Sequence, residues 1–544
     1  MRLSEMFIVI SLAVFSFTPA TANAATTTGF IVAAPDRGFM GNEEARDAFA
    51  ELSRTYPAEL VFVTDERSQP LFHAAVKRLK SGGAKRAVVL PLYLSAAHPG
   101  FTRLQSYFPG SALPLETGRL FGQSVMAPLA LAERLREMME EDATGKVTIV
   151  DTGAETSEAT DAMQRDLGRL VDAVRAEFPH HTLRAEVWPQ DDEAMQRRMQ
   201  ALAAGTQVLP FHLDQKLDSM MSYSAYLRYA ATDDVRVLEG DVTPHPAVAA
   251  WMLREAARAS EMQNNRIGVV VHAHGSDFHW NETMRNAAAP LADDFLVEYA
   301  FSMGDAPSLE RAVRRLEQRG AQAVVIVRVF GLERSFRDGI ERFIGMDYEQ
   351  CREPAAHQGH GHGGGHSAPA ARLLSKIPVV TTGGLEDHRL FAAALLDRAR
   401  EISEDPKNET VILVAHGVGS DSGNDHWLRL LDSLREKMLA EGGDDFRDIH
   451  VATWREDWPD KRVAAVAHVR DLVEQANRDG GRVLMIPART TAEGPERELL
   501  PDLDFALGHG FAPHPLFVEW LREQVNEGLQ QIRDQTGCGS LAGN

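Results

Sequence analysis

Ile267-Gly-Val-Val-Val-His-Ala-His274 and Val411-Ile-Leu-Val-Ala-His416 are β-branched runs that each end on an imidazole; Gly29-Phe-Ile-Val-Ala-Ala34 and Val147-Thr-Ile-Val-Asp-Thr152 are the same run without one. Continuous apolar stretches of this length, bounded by Gly and polar residues, suit strands buried on both faces of a parallel sheet. Each run is followed by a loop, an amphipathic helix and a second strand, as at 59–63 and 295–301. A further helix leads to a third strand, at 86–91, 207–210, 321–327 and 482–487. The order β-α-β-α-β predicts an α/β fold with right-handed crossovers and doubly wound parallel sheets. Each copy then closes with a short strand and a helix starting near Met126-Ala-Pro128-Leu, Pro244-His245-Pro246-Ala, Asp387-His388-Arg389-Leu or Pro513-His514-Pro515-Leu. Where Pro stands there, its locked φ favours a helix start. His245, His388 and His514 recur at that turn, which suits helix capping.

The copies are in register. Ala34 and Thr152 are as far apart as Pro128 and Pro246, while His274 and His416 are further apart, and one low-complexity insert at 353–369 accounts for the excess. Four repeated β/α units forming two domains follow from this periodicity. The units run 25–144 and 145–262 in the first domain, and 263–405 and 406–535 in the second. A chain of 544 residues also exceeds one ordinary hydrophobic core.

Residues 1–24 combine Arg2, an apolar run at 6–17 and the small-residue site Ala22-Asn23-Ala24. That pattern predicts a secretory signal peptide and a periplasmic or secreted protein. The run is shorter than a membrane span requires, so no span is expected in the mature chain. A net charge of −21 disfavours nucleic acid and anionic membranes and suits cations. Cys351 and Cys538 are the only cysteines and form no CxxC, which excludes a thiolate zinc site and a disulfide framework. A single bridge between them and two unpaired thiols both fit.

The units resemble the class II tetrapyrrole chelatases, specifically the sirohydrochlorin cobaltochelatase (CbiX-like) family. The resemblance rests on His274-Gly275-Ser276-Asp277 with Asn281, on His416-Gly417 with Ser420 and Asn424, on Pro91-Leu92-Tyr93-Leu94 with His98, and on the closings quoted above. It implies a chelatase-like fold and a cleft between paired units that takes a tetrapyrrole and a divalent metal, cobalt first, with nickel, iron or zinc as alternatives. The first domain reads Ala34-Pro35 and Thr152-Gly153 where the His-Gly would stand, so it is degenerate for chemistry, although Asn42 is in place. Unit three keeps His274, but where the family's second His is expected it reads Gly331-Leu332-Glu333-Arg334-Ser335-Phe336-Arg337.

Metal insertion requires a ligand that holds the ion loosely and a base for two pyrrole protons. Imidazole does both near neutral pH. His274 is therefore assigned as metal ligand or proton acceptor, with His416 and Glu333 as auxiliaries. His272 alternates with His274 along the strand, points to the opposite face and is assigned a structural role; His279 is placed in the following loop, within reach of the site. Arg328, Arg334 and Arg337 offer guanidinium forks to a polycarboxylate macrocycle. Ser276, Asn281 and Asn424 are the remaining substrate-contact candidates. In the insert, His357, His360, His362 and His366 stand among glycines and read as a collector of cobalt, nickel, zinc or copper. Gly359, Gly361 and Gly364 satisfy GxGxxG, but with no strand before and no helix after, no nucleotide is expected. Three functions fit these residues: a chelatase, a periplasmic metal-delivery protein on a chelatase fold, and a macrocycle-binding protein.

Overall fold

The computed structural model describes residues 28–138, 145–153, 156–213, 223–238, 242–350, 371–478, 480–491 and 494–534. The signal segment, the insert histidines His357, His360, His362 and His366, and Cys351 and Cys538 lie outside the described residues.

Each unit is one four-stranded parallel sheet. Unit one holds β1 (Thr28–Pro35), β2 (Ala58–Val63), β3 (Arg86–Pro91) and β4 (Leu115–Thr117). Unit two holds β5 (Gly145–Thr152), β6 (His181–Trp188), β7 (Thr206–Pro210) and β8 (Arg236–Val237). Unit three holds β9 (Ile267–Ala273), β10 (Leu296–Phe301), β11 (Ala323–Val329) and β12 (Val379–Gly383). Unit four holds β13 (Glu409–Ala415), β14 (Asp448–Thr453), β15 (Arg482–Pro487) and β16 (Ala506–Leu507). In every sheet the first strand lies between the second and third, and the fourth follows the third. The chain thus reverses direction across the sheet between its first and third strands. That switch point is where open α/β sheets leave a crevice beyond the carboxyl ends of the strands.

The opening strands β1, β9 and β13 are buried at every residue, as the apolar runs at their centres require. Burying each Val or Ile of such a strand is worth roughly 1.5–3 kcal/mol relative to exposure, so a unit cannot leave either sheet face open.

Closing helices meet that need by crossing to the partner unit. The helix Pro246–Ala259 of unit two seats Trp251 against unit one, its indole N–H donating to the Arg119 carbonyl at 3.1 Å. The helix Pro515–Asp534 of unit four lies on the sheet of unit three, where the Thr382 hydroxyl donates to the Gln524 carbonyl at 3.1 Å. Gly528 is needed on that helix, since a Cβ there would stand 2.6 Å from Val325. The helix Arg389–Ile402 of unit three crosses the other way, and its Arg398 donates to the Gly510 carbonyl at 3.2 Å. One core therefore joins units one and two, and another joins units three and four. Tyr348 of unit three is buried in the first of these cores. Among the described residues no helix is long and apolar enough to cross a membrane.

Candidate functional site

The histidines divide into two tautomeric classes, and the division follows from what each ring nitrogen faces. At the closing turns Nδ1 accepts from a helix N–H: His245 from Ala247 at 3.1 Å, His388 from Leu390 at 3.2 Å and His514 from Leu516 at 3.2 Å. An accepting Nδ1 places the proton on Nε2, which faces an acid on the partner unit's closing helix. His245 Nε2 is 2.9 Å from Glu133, His388 Nε2 is 3.4 Å from Glu523, and His514 Nε2 is 3.8 Å from Asp397. Burial lowers the pKa of all three, which keeps the capping nitrogen unprotonated. These residues are caps, and His98 makes the same cap to Gly100 at 3.1 Å in unit one.

The strand-end histidines have the opposite tautomer. His274 Nδ1 lies 2.5 Å from the Gly275 carbonyl, and His416 Nδ1 lies 2.9 Å from the Gly417 carbonyl. A carbonyl only accepts, so Nδ1 carries the proton in both; in His274 this leaves the Nε2 lone pair for an ion or a proton, whereas the His416 Nε2 faces a carboxylate. His274 is exposed beyond the end of β9. His416 is half-buried, its ring stacked on Trp427 at 6.5 Å and edge-on to Trp458 at 6.0 Å. Its Nε2 is 3.2 Å from Asp457 and 3.8 Å from Glu456, and Glu456 is also held by Arg489.

His272 is fully buried, as its alternation with His274 predicts. Its Nδ1 donates to the Ala300 carbonyl at 2.9 Å, the ring packs edge-on to Phe330 at 5.1 Å, and burial pulls its pKa down to about 4. His279 stands on the first turn of the helix Phe278–Ala288 rather than in a loop.

The asparagines shape the turns. Asn281 Oδ1 accepts from the Ser276 N–H at 3.0 Å; Ser276 is itself exposed. Asn424, buried, accepts from the Thr453 hydroxyl at 2.9 Å, and in unit one Asn42 accepts from the Arg37 N–H at 2.9 Å. Gly275 and Gly417 follow the two histidines at φ +76 and φ +81, and a Cβ on Gly417 would lie 3.0 Å from Asn424 Oδ1. The Asn thus holds the turn that aims the imidazole. Expected as substrate contacts, Asn281 and Asn424 spend their side-chain oxygens inside the protein.

Of the three arginines, Arg328 departs furthest from expectation. It is 1% exposed, donates to Thr381 Oγ1 at 3.2 Å and to the carbonyls of Ser335 at 3.3 Å, Gly383 at 3.1 Å and Glu333, and burial lowers its pKa to about 10. It is a clasp for the 331–336 turn, not a free fork. Arg337 pairs with Glu333 at 2.6 Å. Arg334 is exposed and has no ion-pair partner among the described residues.

Glu333 is pinned by its backbone: its N–H donates to Glu386 Oε1 at 2.6 Å and its carbonyl accepts from Arg328. Its carboxylate belongs to Arg337. Among the described residues no three His, Cys, Asp or Glu side chains are grouped to hold a metal ion. His274, Glu333 and His416 are accordingly not a preassembled triad. Glu333 is committed to Arg337, and the His416 Nε2 faces Asp457. The sequence reading missed Glu386, Asp457, Trp427 and Trp458; the run Arg455-Glu456-Asp457-Trp458 directly after a second strand was its only available signal.

Units three and four meet at this point, because Trp427 of unit four fills the space beside Gly331, just beyond β11. A match to the CbiX family model spans 268–402, from β9 through the closing helix of unit three. Residues 268–402 form a CbiX domain. The CbiX domain carries His274, Arg328, Glu333, Arg334 and Arg337, while His416 comes from the unit that follows it.

Solved structures with similar regions include a multi-domain protein of Deinococcus radiodurans, described as structurally similar to chelatases with two additional novel domains. It has a TM-score of 0.32 and 18% identity, over 50% of this chain and 56% of that one. The chain thus spans little more than half the length of that protein. The sirohydrochlorin chelatase of Bacillus subtilis subspecies spizizenii, in complex with cobalt, has a TM-score of 0.32 and 16% identity, over 42% of this chain and 92% of that one. A periplasmic solute-binding protein of Actinobacillus succinogenes with bound D-allose has a TM-score of 0.22 and 12% identity, over 42% and 82%. No curated protein matches the chain.

Proposed function

We propose that the C-terminal half is an exported metal chelatase that brings a divalent cation, cobalt first, to a carboxylated tetrapyrrole of the sirohydrochlorin type. The observation that carries this reading is the match to the CbiX family model together with the Nδ1-protonated tautomer of His274, which turns its Nε2 lone pair outward beyond the end of an opening strand, while His416 repeats the Nδ1 contact with its Nε2 beside Asp457. Insertion forms metal–nitrogen bonds and releases two protons from the pyrrole nitrogens. His274 Nε2 takes the first role, as a single loose ligand or as proton acceptor. His416 Nε2 accepts one of the two protons, with Asp457 at 3.2 Å to stabilise the imidazolium, and the other passes to bulk solvent. Arg334 pairs with a substrate carboxylate, and Glu333 serves only after leaving Arg337.

The absence of a three-ligand cluster among the described residues suits a metal that is passed on, since a closed site would retain it. The insert histidines His357, His360, His362 and His366 are read as collectors of the same ion. A delivery protein without turnover is the second reading, favoured by the pairing of Glu333 with Arg337. Mature protein mixed with cobalt and sirohydrochlorin decides between them by the macrocycle's absorption. Catalysed insertion well above the rate without protein supports the chelatase, and binding without acceleration supports delivery. An exported reporter fused to residues 1–24, recovered in the cytoplasm with its leader intact, would remove the export claim.

A further inference from the structure

The turn that holds Glu333 continues into the helix Arg337–Ile344 and then, through Gly345, into the short helix Met346–Glu349. That short helix is inserted into the N-terminal half. Gly345 sits at φ +87, and a Cβ there would lie 2.1 Å from Val125 of unit one. The Tyr348 hydroxyl donates to the Gly122 carbonyl at 2.6 Å, with the Arg169 guanidinium 4.6 Å from its ring centre.

Glu349 is 1% exposed and meets three arginines of the N-terminal half: Arg258 at 2.6 Å, Arg119 at 2.7 Å and Arg254 at 3.4 Å. The Val125 N–H adds a bond at 3.3 Å. A single buried carboxylate among three guanidinium groups is costly to separate, because undocking leaves uncompensated charge. On its other side the segment is tied to unit three. Arg372 pairs with Asp347 at 2.7 Å and donates to the Arg342 carbonyl at 2.9 Å, and the Leu373 N–H donates to the Phe343 carbonyl at 2.8 Å.

We propose that Tyr348 and Glu349 are positioning residues through which the N-terminal half, whose opening strands β1 and β5 end without a histidine, holds the 331–344 segment of unit three in one geometry. The importance of that segment for turnover rests on the function proposed above; the mechanical coupling does not. It gives the degenerate half a role that requires no ligand of its own: a rigid socket for the segment that carries Glu333, Arg334 and Arg337.

Hydrogen exchange on the full-length mature protein tests this with a matched pair of variants. Tyr348→Phe removes the hydroxyl's bond to Gly122 and its contact with Arg169, and leaves the ring in place. Tyr107→Phe removes a bond of equal length, from a buried Tyr107 hydroxyl to the Asp65 carbonyl, within unit one and away from the socket. Amides 331–344 are expected to exchange about five-fold faster in Tyr348→Phe, the worth of one ordinary hydrogen bond, and at the wild-type rate in Tyr107→Phe. Glu349→Gln, if it folds, is expected to accelerate them more than ten-fold. Unchanged exchange in Tyr348→Phe, or equal acceleration in both tyrosine variants, overturns the proposal. A wild-type protein that inserts no metal would remove the chelatase reading while leaving this comparison intact.

Discussion

Trp427 stands so close to Gly331 that a Cβ on the glycine would lie 2.9 Å from the indole ring. Because the same indole stacks on His416, this contact connects the turn after β11 to the imidazole of the following unit. Gly331→Ala is predicted to cost about 1–3 kcal/mol, the usual range for overpacking. In a double-mutant cycle on urea unfolding, Trp427→Phe should recover part of that loss; additive effects would mean the two residues do not press on each other.

The turn asparagine is predicted to act through the histidine it aims. Asn281→Ala removes the acceptor for the Ser276 N–H, leaving that donor to water, and should cost about 1 kcal/mol of stability. It should also weaken cobalt binding by the C-terminal half. Asn42→Ala in unit one loses an equivalent bond and should leave cobalt binding unchanged. Calorimetry on both variants distinguishes a turn that serves the metal from one that serves only the fold.

Acid should destabilise the protein through His272. Its folded pKa is depressed by burial to about 4, against about 6.5 in the unfolded chain. As pH falls below 6.5 the unfolded state takes up a proton that the folded state refuses. The stability present above pH 6.5 is then lost progressively down to about pH 4, on the order of 3 kcal/mol in all. Between pH 7 and pH 5 the wild type should lose roughly 2 kcal/mol more unfolding free energy than His272→Asn. Parallel pH profiles for the two proteins would contradict the assignment.

The capping histidines should behave as structure alone. His388→Ala and His514→Ala are each predicted to lower stability by about 1 kcal/mol, as loss of an N-cap does, with no change in cobalt stoichiometry. A lost metal site in either variant would move that residue into the functional set.

The opening strands were legible because the runs 269–271 and 411–415 within them are unbroken apolar stretches, the pattern of a strand buried on both faces. The capping role of His245, His388 and His514 was legible because a ring nitrogen at a helix start meets a free N–H. Arg328 was misjudged for a physical reason: a guanidinium at a strand end satisfies a tight turn as readily as it meets a substrate, and only Thr381 and Gly383 show which. The Glu349 cluster could not be read at all, since Arg119, Arg254 and Arg258 approach it from remote segments of the chain. Trp427 beside Gly331 escaped for the same reason.

Cobalt calorimetry on residues 25–544 without 353–369 tests the central claim most directly, because it removes the insert histidines and leaves His274 and His416 in place. One site is predicted, abolished in His274→Ala and kept within about two-fold in His416→Ala, whose imidazole is assigned to the protons and not to the metal. Wild-type affinity in His274→Ala would contradict the account.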